Sequence, residues 1–314
     1  MSGASPDDAV AMSYLAALTL KLAAGVESLP EDVRGPCARF FTARQNADGG
    51  FSGRQGGSDL YYGSFGLRGL ALLGELTEDR ARLAAGYLNS QWDRRATLGS
   101  VEFLSLVTSA LLIEAATGIA AFPKDRSPLA LVLEHVGPLQ RDDGGYARTA
   151  KSPHSSTYHT FLVASCLELL GSPLRDPVKT AACVRARQRP DGGFVELPQL
   201  AQGGVNPTAA AVGLLSMTAG LDADTANRAA EFLRANQTEE GGFRANGRIP
   251  FADLLSTFTA LVALADLKAL DRIDAAAARR YAQRLAHDGG FRGGAWDDAA
   301  DVEYAFYGLG VLAI

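Results

Sequence analysis

The sequence predicts an all-α fold: six helical hairpins set in two concentric rings, with one extra helix in front. The first observation is a corner that recurs along the chain. It reads Gln45-Asn-Ala-Asp-Gly-Gly-Phe51, Gln140-Arg-Asp-Asp-Gly-Gly-Tyr146, Gln188-Arg-Pro-Asp-Gly-Gly-Phe194 and Gln237-Thr-Glu-Glu-Gly-Gly-Phe243, with a shorter copy at His287-Asp-Gly-Gly-Phe291. The second is the spacing. The Gly-Gly pairs begin at 49, 144, 192, 241 and 289, so the steps are 95, 48, 49 and 48, and a degenerate copy belongs near Gln91-Trp92. A fixed period over most of a chain marks stacked units that cannot bury their apolar faces alone. The third is that helices apolar on nearly every side alternate with helices that carry one charged face.

The elements follow in order. Residues 7–25 read as a helix capped near Ser5-Pro6-Asp7 and stopped by Gly25. Half-solvated outer helices are expected at 31–44, 77–90, 127–139, 175–187, 223–236 and 272–286. Nearly all-apolar inner helices are expected at 59–73, 101–117, 156–170, 205–219, 253–267 and 301–314. Each corner ends an outer helix, turns at Gly-Gly where positive φ is needed, and tucks its Phe or Tyr back under the turn. No segment has strand periodicity. Residues 1–314 thus form one domain, with six repeats from 31 to 314.

Composition bounds the function. A net charge of −5 and a pI near 5.5 argue against a nucleic-acid partner. Cys37, Cys166 and Cys183 are scattered and odd in number, so no disulfide frame is implied. Lys21 interrupts the first candidate spanning run, so no transmembrane segment is expected. The N-terminus is acidic rather than leader-like, and a reducing cytoplasm is the expected compartment.

Chemistry is expected where the inner helices begin. Four start alike, at Asp59, Ser156, Asp253 and Asp301, with residues that cap a helix. One end of every inner helix faces the same mouth, so carboxylates such as Asp301 and Glu303 gather there, able to bind a divalent ion or to keep one group protonated. The third repeat leads in with a basic loop, Arg148, Lys151 and His154, followed by Tyr158 and His159. Such a loop suits a diphosphate. Tyr61, Tyr158, Tyr304 and other inner-helix aromatics are core residues or, where they face the hollow, a wall for an apolar chain or an allylic cation. His135 and His287 sit at outer-helix ends and read as surface residues.

The Gln-x-x-Asp-Gly-Gly-Phe corners and their spacing resemble the six-repeat (α/α)6 toroid shared by protein prenyltransferase β subunits and class II terpene cyclases. The resemblance covers 31–314. It is closest in look to the Rab geranylgeranyltransferase β subunit, in Asp48-Gly-Gly-Phe51, the polar loop that follows, and Asp59 heading a helix that closes at Gly74. The resemblance implies an isoprenoid diphosphate in the central cavity, aromatic residues against the prenyl chain, basic residues at the mouth, and a helical partner subunit. It implies a zinc-activated thiolate acceptor, with ligands Asp-x-Cys in the fifth repeat and His in the sixth. Here Asp253 keeps its place, while the Cys position is Leu255 and the His position Tyr304. Arg248 falls where a diphosphate-binding Arg is expected. Asp253 and His159 are the candidates to hold zinc or magnesium or to activate an acceptor. The expected function is prenyl transfer from an isoprenoid diphosphate. The alternatives are a class II cyclase, with Glu303 in the acid's place in Asp301-Val-Glu303-Tyr304, and a non-catalytic toroid that binds prenyl groups or other lipids.

Overall fold

A computed structural model describes residues 12–314. Six outer helices, α2 (Glu31–Arg44), α4 (Glu78–Trp92), α6 (Pro128–Val136), α8 (Pro177–Arg185), α10 (Ala223–Ala235) and α12 (Ala275–Arg284), alternate with six inner ones. The inner helices are α3 (Leu60–Leu72), α5 (Ser100–Thr117), α7 (Thr157–Leu169), α9 (Val205–Met217), α11 (Leu254–Asp266) and α13 (Val302–Ala313). Each inner helix packs on the next, and α13 returns to α3, so the ring is closed. Every predicted element in 31–314 is present.

The corners are more ordered than a turn. Phe51 bridges back to Gln45 and on to Asp59, and Tyr146, Phe194 and Phe243 repeat the pattern. In the sixth repeat the same pairings lengthen into a small antiparallel sheet of β1 (Ala286–His287), β2 (Gly290–Arg292) and β3 (Ala300–Asp301), so strand pairing is present where no periodicity signals it. Strands of two or three residues are too short to show alternation. The Phe side chain is fully buried at 51, 194 and 243, and its ring at 51 lies where a Cβ on Gly66 of α3 would stand. In the second repeat Trp92, at the end of α4, is buried against Phe103 of α5, with its indole N–H donating to Ala121 O at 2.8 Å.

The corner glycine joins repeats. Gly49 has φ +92°, and a Cβ there would stand 2.1 Å from Leu83 O of α4. Gly192 and Gly241 meet Arg228 O and Ala277 O in the same way, and Gly289 meets Pro36 O of α2, which closes the circle. Gln45, Gln188 and Gln237 reinforce it: each side-chain amide donates to its own turn and to a backbone carbonyl at or near the start of the next outer helix.

The extra helix α1 spans Tyr14–Glu27, capped by Ser13. It passes Gly25, whose lack of a side chain admits Ala313 O of α13; the expected start at 7 lies outside the described residues. Helix α1 crosses the C-terminal end of the ring. Tyr14 donates its N–H to Glu168 of α7 and its hydroxyl to Asp266 of α11, both at 2.7 Å, and sets its ring edge-on to Phe161. Helix α5 has the length and hydropathy of a membrane span, contrary to the expectation from sequence, but half of it is buried between its ring neighbours. His135 is also not a simple surface residue: it stacks on Phe103 at 3.8 Å, and burial lowers its pKa.

Gly49→Ala is expected to cost about 2–4 kcal/mol, because both the positive φ and the carbonyl of Leu83 oppose a side chain. Gly86→Ala, mid-helix in α4 with open space around it, is expected to stabilise by about 0.5–1 kcal/mol. Urea unfolding midpoints measure both, and equal effects of the two substitutions would contradict the packing described.

Candidate functional site

Outer helices cover the backs of the inner ring and neighbours cover its sides, so only the axis-facing stripe of each inner helix keeps access to water. That stripe includes Tyr61 and Arg68 of α3, Phe161 of α7, Asn206 of α9, Leu255 of α11, and Glu303 and Tyr304 of α13, all part-exposed. These part-exposed residues line the axis of the ring, the space called the hollow. Its inner-helix N-termini form the mouth, and α1 covers the other end.

Part of the rim's charge serves closure. Arg54, in the loop after the first corner, donates to both oxygens of Asp297 at 2.6 and 2.5 Å and to Asp301 at 3.0 Å. This clasp joins the first repeat to the sixth. Burial alone would raise the Asp297 pKa, but hydrogen bonds from Arg54 and the Gly293 N–H hold it at about 2. Asp301 is buried and also caps α13 by accepting from Tyr304 N–H at 2.9 Å. Arg187 is buried likewise and donates to Thr157 and to the Ser155 carbonyl, both at 3.0 Å.

The candidates for a metal stand apart. Asp253 caps α11, with one oxygen accepting from Ser256 N–H at 2.7 Å and the other from its hydroxyl at 2.8 Å. Burial raises its pKa, and those hydrogen bonds oppose the rise. Leu255 offers no donor atom, and the Tyr304 hydroxyl is pushed up to about 12 by burial and nearby carboxylates. Among the described residues no three His, Cys, Asp or Glu side chains converge. The residues present do not fit a zinc site. His159 pairs Nδ1 with Ser156 Oγ at 2.9 Å, and burial, aided by Arg148, lowers its pKa to about 4, so it is neutral at pH 7. Its Nε2 is buried with no partner among the described residues.

The basic candidates lie on the rim. Arg148, Lys151 and His154 are exposed on one loop, and Arg248 is exposed on the separate loop of the fifth repeat. Tyr158 is 38% exposed and faces the hollow.

Inside the hollow the arrangement is tighter. Tyr61 donates to Glu303 Oε1 at 2.6 Å. Burial raises the Glu303 pKa, the Tyr61 hydrogen bond opposes this, and Asp301 adds to it. Behind them the buried Phe65, Phe306, Tyr307 and Phe258 form a chain of edge-on and tilted contacts with centroids 5.3–5.7 Å apart. Sequence reasoning passed over Arg68, the one charged residue in α3. Its guanidinium lies over the rings of Phe65 at 4.7 Å and Phe306 at 4.6 Å. A single charge inside an otherwise apolar helix was the available sign.

Comparison with known proteins agrees with this ring. Protein geranylgeranyltransferase-I of Candida albicans, complexed with GGPP, superposes with a TM-score of 0.68 at 14% identity, over 88% of this chain and 89% of that one. The type II terpene cyclase MstE of Scytonema, in complex with geranylgeranyl dihydroxybenzoate, gives 0.57 at 16% identity over 95% and 97%. A glycosidase in complex with glucose gives 0.59 at 13% identity over 94% and 96%, so the ring alone does not specify a chemistry. No curated protein matches by sequence.

Arg54→Met leaves two buried carboxylates facing each other without their cation. The expected loss is about 2–4 kcal/mol, less than for a fully buried pair because Arg54 keeps solvent access. Asp297 binds its proton more weakly in the folded state, so its contribution is present above the ordinary carboxyl pKa and fades as pH falls towards about 2. Denaturation at pH 7 and pH 2.5 should show the gap between wild type and variant narrowing in acid; a constant gap would contradict the clasp. The family model of the prenyltransferase alpha-alpha toroid domain matches residues 34–90, 57–216 and 208–314, and the chain belongs to that family.

Proposed function

We propose that the hollow takes an isoprenoid chain through the mouth and that Glu303 delivers a proton to it, the reaction class of type II terpene cyclases. The observation that carries this reading is Glu303 itself. It is a carboxyl whose pKa burial raises, held by Tyr61 and placed beside a set of aromatic rings. Aromatic faces stabilise a cation, and a water-poor wall keeps it from capture. In the step, the Glu303 O–H bond breaks and a C–H bond forms at one alkene carbon. The other carbon becomes cationic, a second alkene closes on it, and a proton leaves to the carboxylate or to water. The sum is an isomerisation that needs no oxidant. The bound molecules named for the two isoprenoid-handling neighbours support the choice of ligand class.

Prenyl transfer is the second reading, favoured by the basic loop of the third repeat. It calls for a diphosphate seat at the rim. Geranylgeranyl diphosphate should then raise the melting temperature of the wild type, and do so less in a His154→Ala/Arg248→Ala variant. At about 100 times its dissociation constant a ligand adds roughly 2.7 kcal/mol, which a melting curve resolves. Equal shifts in the two proteins remove the rim seat.

For the first reading, Glu303→Gln should lower cyclisation of a polyprenyl substrate at least about 100-fold while leaving its binding within about threefold. Unchanged product removes Glu303 as the acid. The acid form is the active one, so turnover falls as pH rises through the raised pKa of Glu303. Tyr61→Phe removes a hydrogen bond that favours the carboxylate, so the falling limb of the pH profile should move to higher pH. A move to lower pH would contradict the assignment.

A further inference from the structure

The chemistry described so far leaves Arg68 without a task. It sits in the third turn of α3, on the axis-facing stripe, and is part-exposed there although the ring surrounds it. Its Nε donates to Ser64 O at 3.1 Å, which turns the side chain towards the mouth. The guanidinium therefore lies near the level of Ser64, roughly one helical turn below Tyr61. Among the described residues no carboxylate comes within 4.0 Å of it, and neither terminal nitrogen has a hydrogen-bond acceptor. The side chain as a whole is part-exposed, and burial still lowers its pKa. Two aromatic faces hold the cation from its sides. The Tyr61, Tyr158 and Tyr307 hydroxyls lie close enough to be felt electrostatically.

A guanidinium in an apolar enclosure costs free energy unless an anion or a full set of acceptors meets it. The two rings offset part of that cost, but they leave the planar fork open. A fork of parallel N–H groups matches a carboxylate or a phosphate oxygen pair. Neighbouring phenol hydroxyls can donate to the same oxygens.

We infer that Arg68 is the seat of an anionic oxygen headgroup, carboxylate or phosphate, so that the ligand of the hollow is an amphiphile carried head-inward rather than one held by its head at the rim. The inference deepens the reading of the hollow as a lipid site and does not depend on Glu303 acting as an acid. The ligand's head occupies the middle of the ring, and its chain lies along the aromatic wall.

Three saturated probes of one chain length test it: dodecanoate, dodecyl phosphate and dodecanol, each titrated by calorimetry. Having no alkene, they leave the proposed proton transfer out of the measurement. The wild type should bind the two anions roughly 10- to 100-fold more tightly than the alcohol, as expected for charge-assisted hydrogen bonds in an enclosed site. The tighter anion identifies the headgroup. Arg68→Met should bring the three within about threefold of one another with dodecanol affinity unchanged. An Arg148→Ala/Lys151→Ala/Arg248→Ala variant should keep the full preference. No preference in the wild type, a preference that survives Arg68→Met, or one lost only in the rim variant would each overturn the seat. Should Arg68→Met not fold, Arg68→Lys decides, since it keeps the charge without the fork. A reduced preference supports the seat, and an undiminished one counts against it. Loss of cyclisation with this preference intact would remove the Glu303 reading and leave the headgroup seat standing.

Discussion

The close approach of a corner glycine to the backbone of the next outer helix sets the geometry of the whole ring. At Gly49 the neighbouring carbonyl lies where a side chain would begin, and the same contact recurs at Gly192 and Gly241. Each contact fixes the rotation from one repeat to the next. When that rotation is the same each time, the stack must either spiral or close. Gly289 meeting Pro36 shows that it closes. A closed ring has no end repeats, so it needs no polar caps of the kind open repeat arrays require.

Closure has a chemical consequence. The seam must hold two surfaces with no covalent link, and Arg54 with Asp297 and Asp301 holds it. Asp301 is thereby committed to structure, as Asp253 is to its own helix cap. Polar residues at the mouth that look like ligands when read along the chain are, in space, already satisfied. The groups left with unused capacity lie deeper. Among the described residues Glu303 accepts from Tyr61, with Tyr307 also acting on it, and Arg68 donates to a carbonyl of its own helix. The rim closes the ring and the hollow is left free for chemistry.

Much of this was legible beforehand. A 48-residue period with two alternating helix classes gave the ring and the order of its helices, because burial on all sides requires a layer behind and neighbours on both flanks. Glu303 came from the resemblance of Asp301-Val-Glu303-Tyr304 to the acid motif of class II cyclases, and its role remains a proposal. What the sequence hid has physical causes. The two-residue strands at the corners carry no period. The axis-facing stripe cannot be told from the back of an inner helix, because both are apolar: α5, α7 and α9 each present Leu, Val or Ala to both sides. Arg68 disappeared into such a helix, since one charge hardly changes the average over thirteen residues. The clasp at Arg54 joins residues more than 240 positions apart, beyond any local pattern. His135 sits at the end of an outer helix, and nothing nearby in sequence announces that Phe103 will stack on it.

The two inner groups also act on each other. Glu303 and Arg68 are close enough to interact but do not pair, so in the empty hollow the guanidinium favours the Glu303 carboxylate. An anion seated on Arg68 cancels that influence and adds its own negative charge beside the carboxyl. Both changes favour the protonated acid, and the water-poor wall makes them larger than they would be at a surface. Binding and acid strength are then linked. If an anion sits on Arg68 as proposed, the carboxyl would hold its proton more firmly with that ligand in place than without it. A neutral ligand of the same length would fill the space without this effect. On the proposed reading, the position of Arg68 below Glu303 would select for charge at the head of the ligand twice, once through direct contact and once through the state of the acid above it.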